Sequence, residues 1–258
     1  MIGRRTALVA AAVSAAVVAA PVVLLGWTFS GGGEVIDGQE LPGGARVVQD
    51  GYVSAFLLEL PEGGAALVDA GNDPEGAAIR AALAQRGLSE GDVVALLLTH
   101  GHADHTAACA RYPNATVYAA SEELPLLAGE VGARSPVGRL FGAHPSPCAA
   151  PVGVRDGQVL PIGGVEVTAY LVPGHTRGST AWLAGGVLFL GDSADATADG
   201  RLLGSKWLFS DDTDENARSL RALSDRLARD HADVRALAFA HTGTLGGLGP
   251  LTAFAAAP

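Results

Sequence analysis

From Arg46 to Leu60 the apolar and polar positions form two extended stretches broken at Asp50 and Gly51, a hairpin signal. Ala65 to Val68 is a short apolar run closed by Asp69, Ala70 and Gly71. The period changes over Pro74 to Arg86, where Ile79, Ala82 and Leu83 share one helical face and Gly87 is the stop. Val93 to Leu98 is an unbroken apolar run bounded by polar residues, which predicts a buried strand. The Ala-rich stretch Ala107 to Arg111 then predicts the first turns of a helix. Ala115 to Ala119 returns as a strand, and Ser121 is placed to cap a short helix whose first turn holds Glu122 and Glu123. Glu130 to Pro151 has no clean period and predicts a long surface excursion. Strands recur near Val154 and over Val159 to Pro161, Val165 to Val172, Ser179 to Leu183 and Val187 to Leu190. The glycine pairs at 163–164 and 185–186 mark hairpins between them. Asp211 to Asp230 carries the clearest amphipathic stripe, with Ala217, Leu220, Leu223 and Leu227 on one face. Ala232 to Ala240 predicts a last strand and Leu248 to Ala257 a short terminal helix.

The first thirty residues stand apart. Arg4 and Arg5 precede Thr6 to Phe29, 24 residues without a charge, longer than the roughly 20 needed to span a bilayer. A positive start before an apolar stretch is the pattern of an export signal or an anchor with its amino end inside. Two parts are therefore expected: an N-terminal hydrophobic helix within residues 1–30, and a single domain over 31–258. The expected location is extracytoplasmic, either secreted or periplasmic, or held at the membrane by residues 6–29. A formal charge of -10 and a pI near 5.0 exclude a nucleic-acid partner that would draw on clustered Lys and Arg. In an exported protein Cys109 and Cys148 could pair or remain two buried thiols; the sequence allows both.

Candidate chemistry concentrates directly behind the apolar run at 93–98. His100, His102, Asp104 and His105 fall within six residues on a strand-to-helix turn, where loops at the carboxyl end of a sheet carry function. His100 and His102 are two apart and point the same way on an extended backbone. Asp104 and His105 are adjacent and must diverge, which suits two metal ions side by side better than one. Three further stretches end an apolar strand in a candidate ligand: His175 behind Pro173 and Gly174, Asp192 behind Gly191, and His241 behind Ala236 to Ala240. Five of the seven histidines thus fall at predicted strand ends, leaving His144 in a loop and His231 near a helix end.

This set resembles the metallo-β-lactamase superfamily over about Arg46 to Gly243. The resemblance rests on Asp69, on the turn from His100 to His105, on Pro173-Gly174-His175-Thr176, on Gly191-Asp192 and on His241. It implies an α/β fold, a four-layer αββα sandwich with metals at one edge of two packed sheets. It further implies that His100, His102 and His175 bind one metal, Asp104, His105 and His241 a second, and Asp192 bridges both. Asp69 would orient a ligand histidine.

Imidazole and carboxylate ligands without thiolate suit zinc, two ions per chain, with iron or manganese as runners-up. Two such ions about 3.5–4 Å apart hold a hydroxide between them at neutral pH, which attacks an electrophilic centre. Asp104 could also steer the water proton. No Ser/His/Asp or Cys nucleophile is needed, and the sequence holds no Gly-x-Ser-x-Gly element. Asp192 and the segment Pro173 to Ser179 look like those of thioester, lactone and related hydrolases, whereas zinc β-lactamases lack a carboxylate at the position of Asp192. Glyoxalase-II-type enzymes carry a further carboxyl-terminal helical region, and only Gly243 to Pro258 follow the last ligand here. The expected activity is hydrolysis of a small ester, thioester or lactone; β-lactam or phosphodiester cleavage, or a metal-binding or sensory role, are the alternatives. The expected partner is a small-molecule substrate, with a membrane reached through residues 6–29 if these are retained. Around the pocket, Tyr52 is expected near the metals or as a surface hairpin aromatic. Leu140 and Phe141 would form an apolar lid or a mere connection. Lys206, the only lysine, would hold a substrate carboxylate or stand in solvent.

Overall fold

A computed structural model describes Thr28 and residues 30–257. The expected export segment, apart from Thr28 and Ser30, lies outside the described residues. Among these residues no helix is long and apolar enough to cross a membrane.

Two six-stranded sheets face each other. The first takes its strands in chain order: β1 (Ala45–Asp50), β2 (Val53–Glu59), β3 (Ala65–Val68), β4 (Val93–Leu97), β5 (Thr116–Ala120) and β6 (Val152–Val154). Pairing is antiparallel from β1 through β3 and parallel from β3 through β6. The helix α1 (Ala77–Gln85) makes the crossover from β3 to β4, as parallel neighbours require. The second sheet contains β7 (Val159–Ile162), β8 (Val165–Leu171), β9 (Thr180–Ala184), β10 (Val187–Phe189), β13 (Ala236–Ala238) and β14 (Leu245–Gly246). Only β10 and β13 are parallel, and the long helix α5 (Thr213–Arg229) lies between them in sequence.

The side-chain period of two sorts these strands into layers. Phe56 and Leu58 of β2, Val68 of β3, Leu97 of β4, Trp182 of β9 and Phe189 of β10 meet in the core between the sheets. Their alternates, Leu57, Leu67, Leu96 and Leu98, pack outward against Ile79 and Leu83 of α1. On the other side Leu188, Leu237 and Phe239 pack against Leu220, Leu223 and Leu227 of α5 and Leu251 of α6 (Gly249–Ala256). Strands buried on both faces must be apolar throughout, which explains the unbroken runs in the sequence. The result is the expected helix–sheet–sheet–helix sandwich. Each large side chain buried in it contributes about 1.5–3 kcal/mol.

Helix α5 begins where Asp212 accepts a hydrogen bond from the N–H of Glu215, and its last turn carries Arg226 and Arg229 against the helix dipole. Two expectations shift. The helix placed at 107–111 begins earlier, inside the histidine turn, as the four-residue α2 (Ala103–Thr106) followed by a 3-10 turn at Cys109–Arg111. The strand placed over 232–240 is only three residues long, and a small hairpin of β11 (Ala194–Ala196) and β12 (Leu202–Gly204) forms where no strand was expected.

The four-residue α3 (Leu124–Leu127) leads into the excursion at 130–151, which has one short helix, α4 (Gly138–Phe141), and is pinned at several points. Cys148 is disulfide-bonded to Cys109. Val137 N–H donates to the Leu208 carbonyl and Arg134 N–H to the Asp211 carboxylate. Leu140 and Phe141 at its tip are 81% and 69% exposed, so they cover nothing in this conformation.

Candidate metal centre

The ligand-bearing loops leave the sheets at one edge, and the sheets are stitched together there. Thr180 N–H donates to the Thr99 carbonyl, the Trp182 indole N–H to the Leu98 carbonyl, and Ser54 N–H to the Ala240 carbonyl. Loops after β3 and β4 in one sheet therefore face loops after β8, β10 and β13 in the other. His100, His102, Asp104, His105, His175, Asp192 and His241 all converge on this edge.

They form two overlapping groups. His175 Nε2 lies 3.1 Å from His100 Nε2 and 3.0 Å from His102 Nδ1. In the second group His241 Nε2 is 3.6 Å from Asp104 Oδ2, and His105 Nε2 is 3.9 Å from Asp104 Oδ1. Asp192 reaches both: Oδ1 is 3.3 Å from His105 Nε2, while Oδ2 is 3.2 Å from His241 Nε2 and 3.6 Å from His175 Nε2.

The outer nitrogens settle which ring atoms face inward. Asp69 is fully buried in a left-handed conformation (φ 60°) that aspartate tolerates better than most residues. From there its carboxylate accepts from Thr99 N–H at 2.8 Å and from the Thr99 hydroxyl at 2.7 Å. It also takes the Nδ1–H of His105 at 2.8 Å. Because the Thr99 proton goes to Asp69, Thr99 Oγ1 accepts from His100 Nδ1 at 3.1 Å. By the same reasoning Ser210, which donates to the Lys206 carbonyl, accepts from His175 Nδ1 at 3.0 Å. His241 Nδ1 donates to the Tyr52 carbonyl at 2.8 Å. Four rings thus carry a proton on Nδ1 and turn the Nε2 lone pair toward the centre.

That arrangement fits cations and little else. His100 Nε2 and His175 Nε2, both lone pairs by the tautomers above, face each other at 3.1 Å with no proton to share, and His102 Nδ1 stands 3.0 Å from His175 Nε2. Buried His105 Nε2 and Asp192 Oδ1 have no hydrogen-bond partner among the described residues, a costly condition for buried polar atoms. The electrostatics divide the same way. Burial holds His100 and His175 well below the ordinary histidine range, the first aided by neighbouring imidazoles and the second against the pull of Asp192. At the other group burial opposes the proton, but Asp192, Asp69 and Asp104 prevail and raise His105 well above that range. His241 is likewise pushed up to about 8, against its burial, by Asp192. Burial would raise Asp192, yet His241 and His105 outweigh it and keep the carboxylate ionised well below its usual range. A group of three imidazoles thus adjoins one in which carboxylates and imidazoles are paired, with Asp192 between.

The packing around Asp192 leaves no room for a larger predecessor. Gly191 has φ 52°, and a Cβ there would stand 2.4 Å from Thr99 Oγ1. Tyr52 is 61% exposed beside the site, stacked on His241 with ring centroids 5.9 Å apart. Both readings of this residue hold in part: it is a hairpin aromatic and it touches a site residue. Lys206 does not stand in solvent. Its ammonium is paired with Asp195 and only 18% of the side chain is exposed.

Thr99, Ser210 and Glu123 emerge only from the structure. Thr99 sits directly before the histidine turn, a position that offered a signal. Ser210 is 35 residues from the histidine it orients, and Glu123 is indistinguishable in sequence from its neighbour Glu122.

The metallo-beta-lactamase superfamily model matches residues 48–238. The hydroxyacylglutathione hydrolase of Cronobacter sakazakii (strain ATCC BAA-894) is 34% identical over 158 residues, covering 60% of this chain and 51% of that protein. The chain therefore spans about half the length of the curated relatives it matches. Among solved structures, a metallo-beta-lactamase family protein from Thermus thermophilus superposes with a TM-score of 0.61 at 24% identity, covering 84% of this chain and 79% of that one. A subclass B3 metallo-beta-lactamase of Bradyrhizobium japonicum gives 0.61 at 21% identity, with 88% and 92% covered. These two likenesses show the shared fold. With the family model covering most of both sheets and six of the seven converging side chains, all but His241, this chain belongs to the metallo-beta-lactamase superfamily.

Proposed function

We propose that this protein hydrolyses a small ester, thioester or lactone at a pair of divalent cations, zinc before iron or manganese. His100, His102 and His175 would hold one cation, and Asp104, His105 and His241 the other. The observation that carries the reading is Asp192, whose two oxygens lie within 3.2–3.6 Å of histidine nitrogens from both groups. When bound, the cations supply a nucleophile from water at neutral pH and Lewis acidity at the scissile carbonyl.

The chain's own residues do the rest. Asp69, Thr99, Ser210 and the Tyr52 carbonyl hold the imidazoles in the tautomer that presents Nε2. Asp104, with 20% of its side chain exposed against 14% for Asp192, is the site carboxylate most open to solvent. Asp104 takes the proton of the attacking water and passes it outward. Tyr52 and Asn72, joined by a 3.0 Å hydrogen bond, form a wall beside His241 against which the acyl portion of a substrate rests.

The thioester assignment is supported by the identity to hydroxyacylglutathione hydrolases and by the presence of Asp192. A panel of thioester, lactone, penicillin or cephalosporin, and bis-nitrophenyl phosphate substrates tests it. Hydrolysis of thioester or lactone with little of the others is expected, and exclusive β-lactam turnover would overturn the assignment. We further place the domain outside the cytoplasm, on the uncharged stretch at 6–29 and on the Cys109–Cys148 disulfide, a bond of oxidising compartments. Cell fractionation with external protease checks this, and recovery only from the cytosol would refute it.

A further inference from the structure

Glu122 and Glu123 share one 3-10 turn, yet only Glu123 is buried, 1% exposed. No ion pair reaches it among the described residues, and burial raises its pKa against the hydrogen bonds it accepts. One carboxylate oxygen takes the N–H of Gly101 at 2.7 Å. The other takes the N–H of Gly178 at 2.8 Å and the hydroxyl of Thr176 at 2.9 Å. Gly101 separates His100 from His102 in the loop after β4, and Thr176 follows His175 in the loop before β9. One carboxylate thus ties together the two loops that supply the three-histidine group, and those loops belong to opposite sheets.

The contact is close enough to dictate sequence. A Cβ on Gly178 would meet the Glu123 Cβ and backbone nitrogen at 2.5 Å, so position 178 admits no side chain. Ser179 completes the arrangement, its hydroxyl accepting from Thr176 N–H at 2.8 Å. The two histidines of the second group have anchors of their own. His105 is held by Asp69 and His241 by the Tyr52 carbonyl.

We infer that Glu123 is the positioning residue of the three-histidine cation site: it fixes the spacing of His102 and His175 across the sheet interface, and it does so for that site alone. This rests on the two-cation reading above. Supporting groups of this kind act by holding ligands to within about 0.5 Å, and losing one weakens a metal about 10- to 100-fold. Glu123→Gln is the informative variant. Its amide keeps the shape but sets an N–H₂ against either Gly101 N–H or Gly178 N–H, so one loop loses its acceptor.

The test is cobalt(II) titration of the metal-free full chain, followed by visible absorbance and chelator competition. His102→Ala and His241→Ala assign the spectral bands to the two sites, and the melting temperature of each metal-free variant is recorded alongside. Wild type and Glu122→Gln are expected to bind two ions alike. Glu123→Gln and Gly178→Ala are expected to lose about 10- to 100-fold at the three-histidine site and keep the other. Unchanged binding at both sites would overturn the inference while leaving the two-cation reading standing. So would equal weakening at both sites with a lowered melting temperature, which marks general loosening. A wild-type chain that takes up no cobalt sinks the two-cation reading and this inference with it.

Discussion

Replacing Asp69 with asparagine exchanges one carboxylate oxygen for an NH₂ group at a point on which both ligand groups lean. Asp69 Oδ2 accepts two hydrogen bonds, from His105 Nδ1 at 2.8 Å and from the Thr99 hydroxyl at 2.7 Å. With Oδ1 still accepting from Thr99 N–H, the NH₂ group faces a ring N–H donor. His105 must then move its proton to Nε2, the atom that faces the cations, or give up the contact. The second arm fails as well. Thr99 Oγ1 would accept from the new amide, in competition with the His100 Nδ1–H it holds at 3.1 Å. Hydrogen bonds to a charged group contribute about 1.5–3 kcal/mol each, the same scale as the 10- to 100-fold loss of metal affinity typical of such partners, about 1.4–2.8 kcal/mol per site. Asp69→Asn is therefore expected to weaken both cations, in contrast to Glu123→Gln. Thr99→Val, which removes only the hydroxyl, should chiefly weaken the three-histidine site. Zinc competition with a chromophoric chelator measures both constants. An Asp69→Asn protein that binds two zinc ions with wild-type affinities would refute this reading of the hydrogen-bond chain.

Asp192→Ala removes the only carboxylate shared by the two groups. It should lower kcat about a hundredfold or more, the several kcal/mol a metal pair supplies, while circular dichroism stays native; a variant retaining full activity would contradict the role. The double replacement of Cys109 and Cys148 by serine opens a cross-link spanning 39 residues. It should cost about 2–4 kcal/mol, a fall of about 4–16 °C in Tm for a chain of this size, and calorimetry would show no change if the bond carried no stability. Gly191→Ala drives a Cβ into Thr99 at 2.4 Å with φ held at 52°. Loss of zinc affinity and a lower Tm are expected together, and an unaltered pair of values would mean the turn relaxes freely. Lys206→Met leaves Asp195 without its partner in a site 9% exposed. Destabilisation of up to about 3–5 kcal/mol in urea unfolding is expected, and joint replacement of both residues by apolar ones should restore much of it.

The sandwich and the site were legible to different depths. Strands buried on both faces wrote themselves as apolar runs, so Val93 to Leu98 and Val187 to Leu190 announced their positions, while their layers came from the packing. Ligand types stood out because histidine is scarce and His100, Asp192 and His241 follow such runs within one or two residues. Short elements were harder. β13 keeps only three paired residues of its apolar run because its neighbour β10 is equally short. The hairpin of β11 and β12 lacks both length and alternation. Buried polar partners were least legible. Whether Glu123 or Glu122 turns inward depends on the approach of Gly101 and Gly178 from separate sheets, and no local pattern records it. Lys206 is paired because β11 brings Asp195 beneath it, a contact set by tertiary packing.

Anomalous diffraction at the zinc edge from zinc-loaded crystals addresses the central claim most directly. Two peaks per chain are expected, each about 2 Å from its nitrogens. The first should lie on His100 Nε2, His102 Nδ1 and His175 Nε2, and the second on His105 and His241 Nε2 with Asp104, Asp192 touching both. A single peak, or two peaks that leave Asp192 bound to neither, would contradict a paired-cation centre.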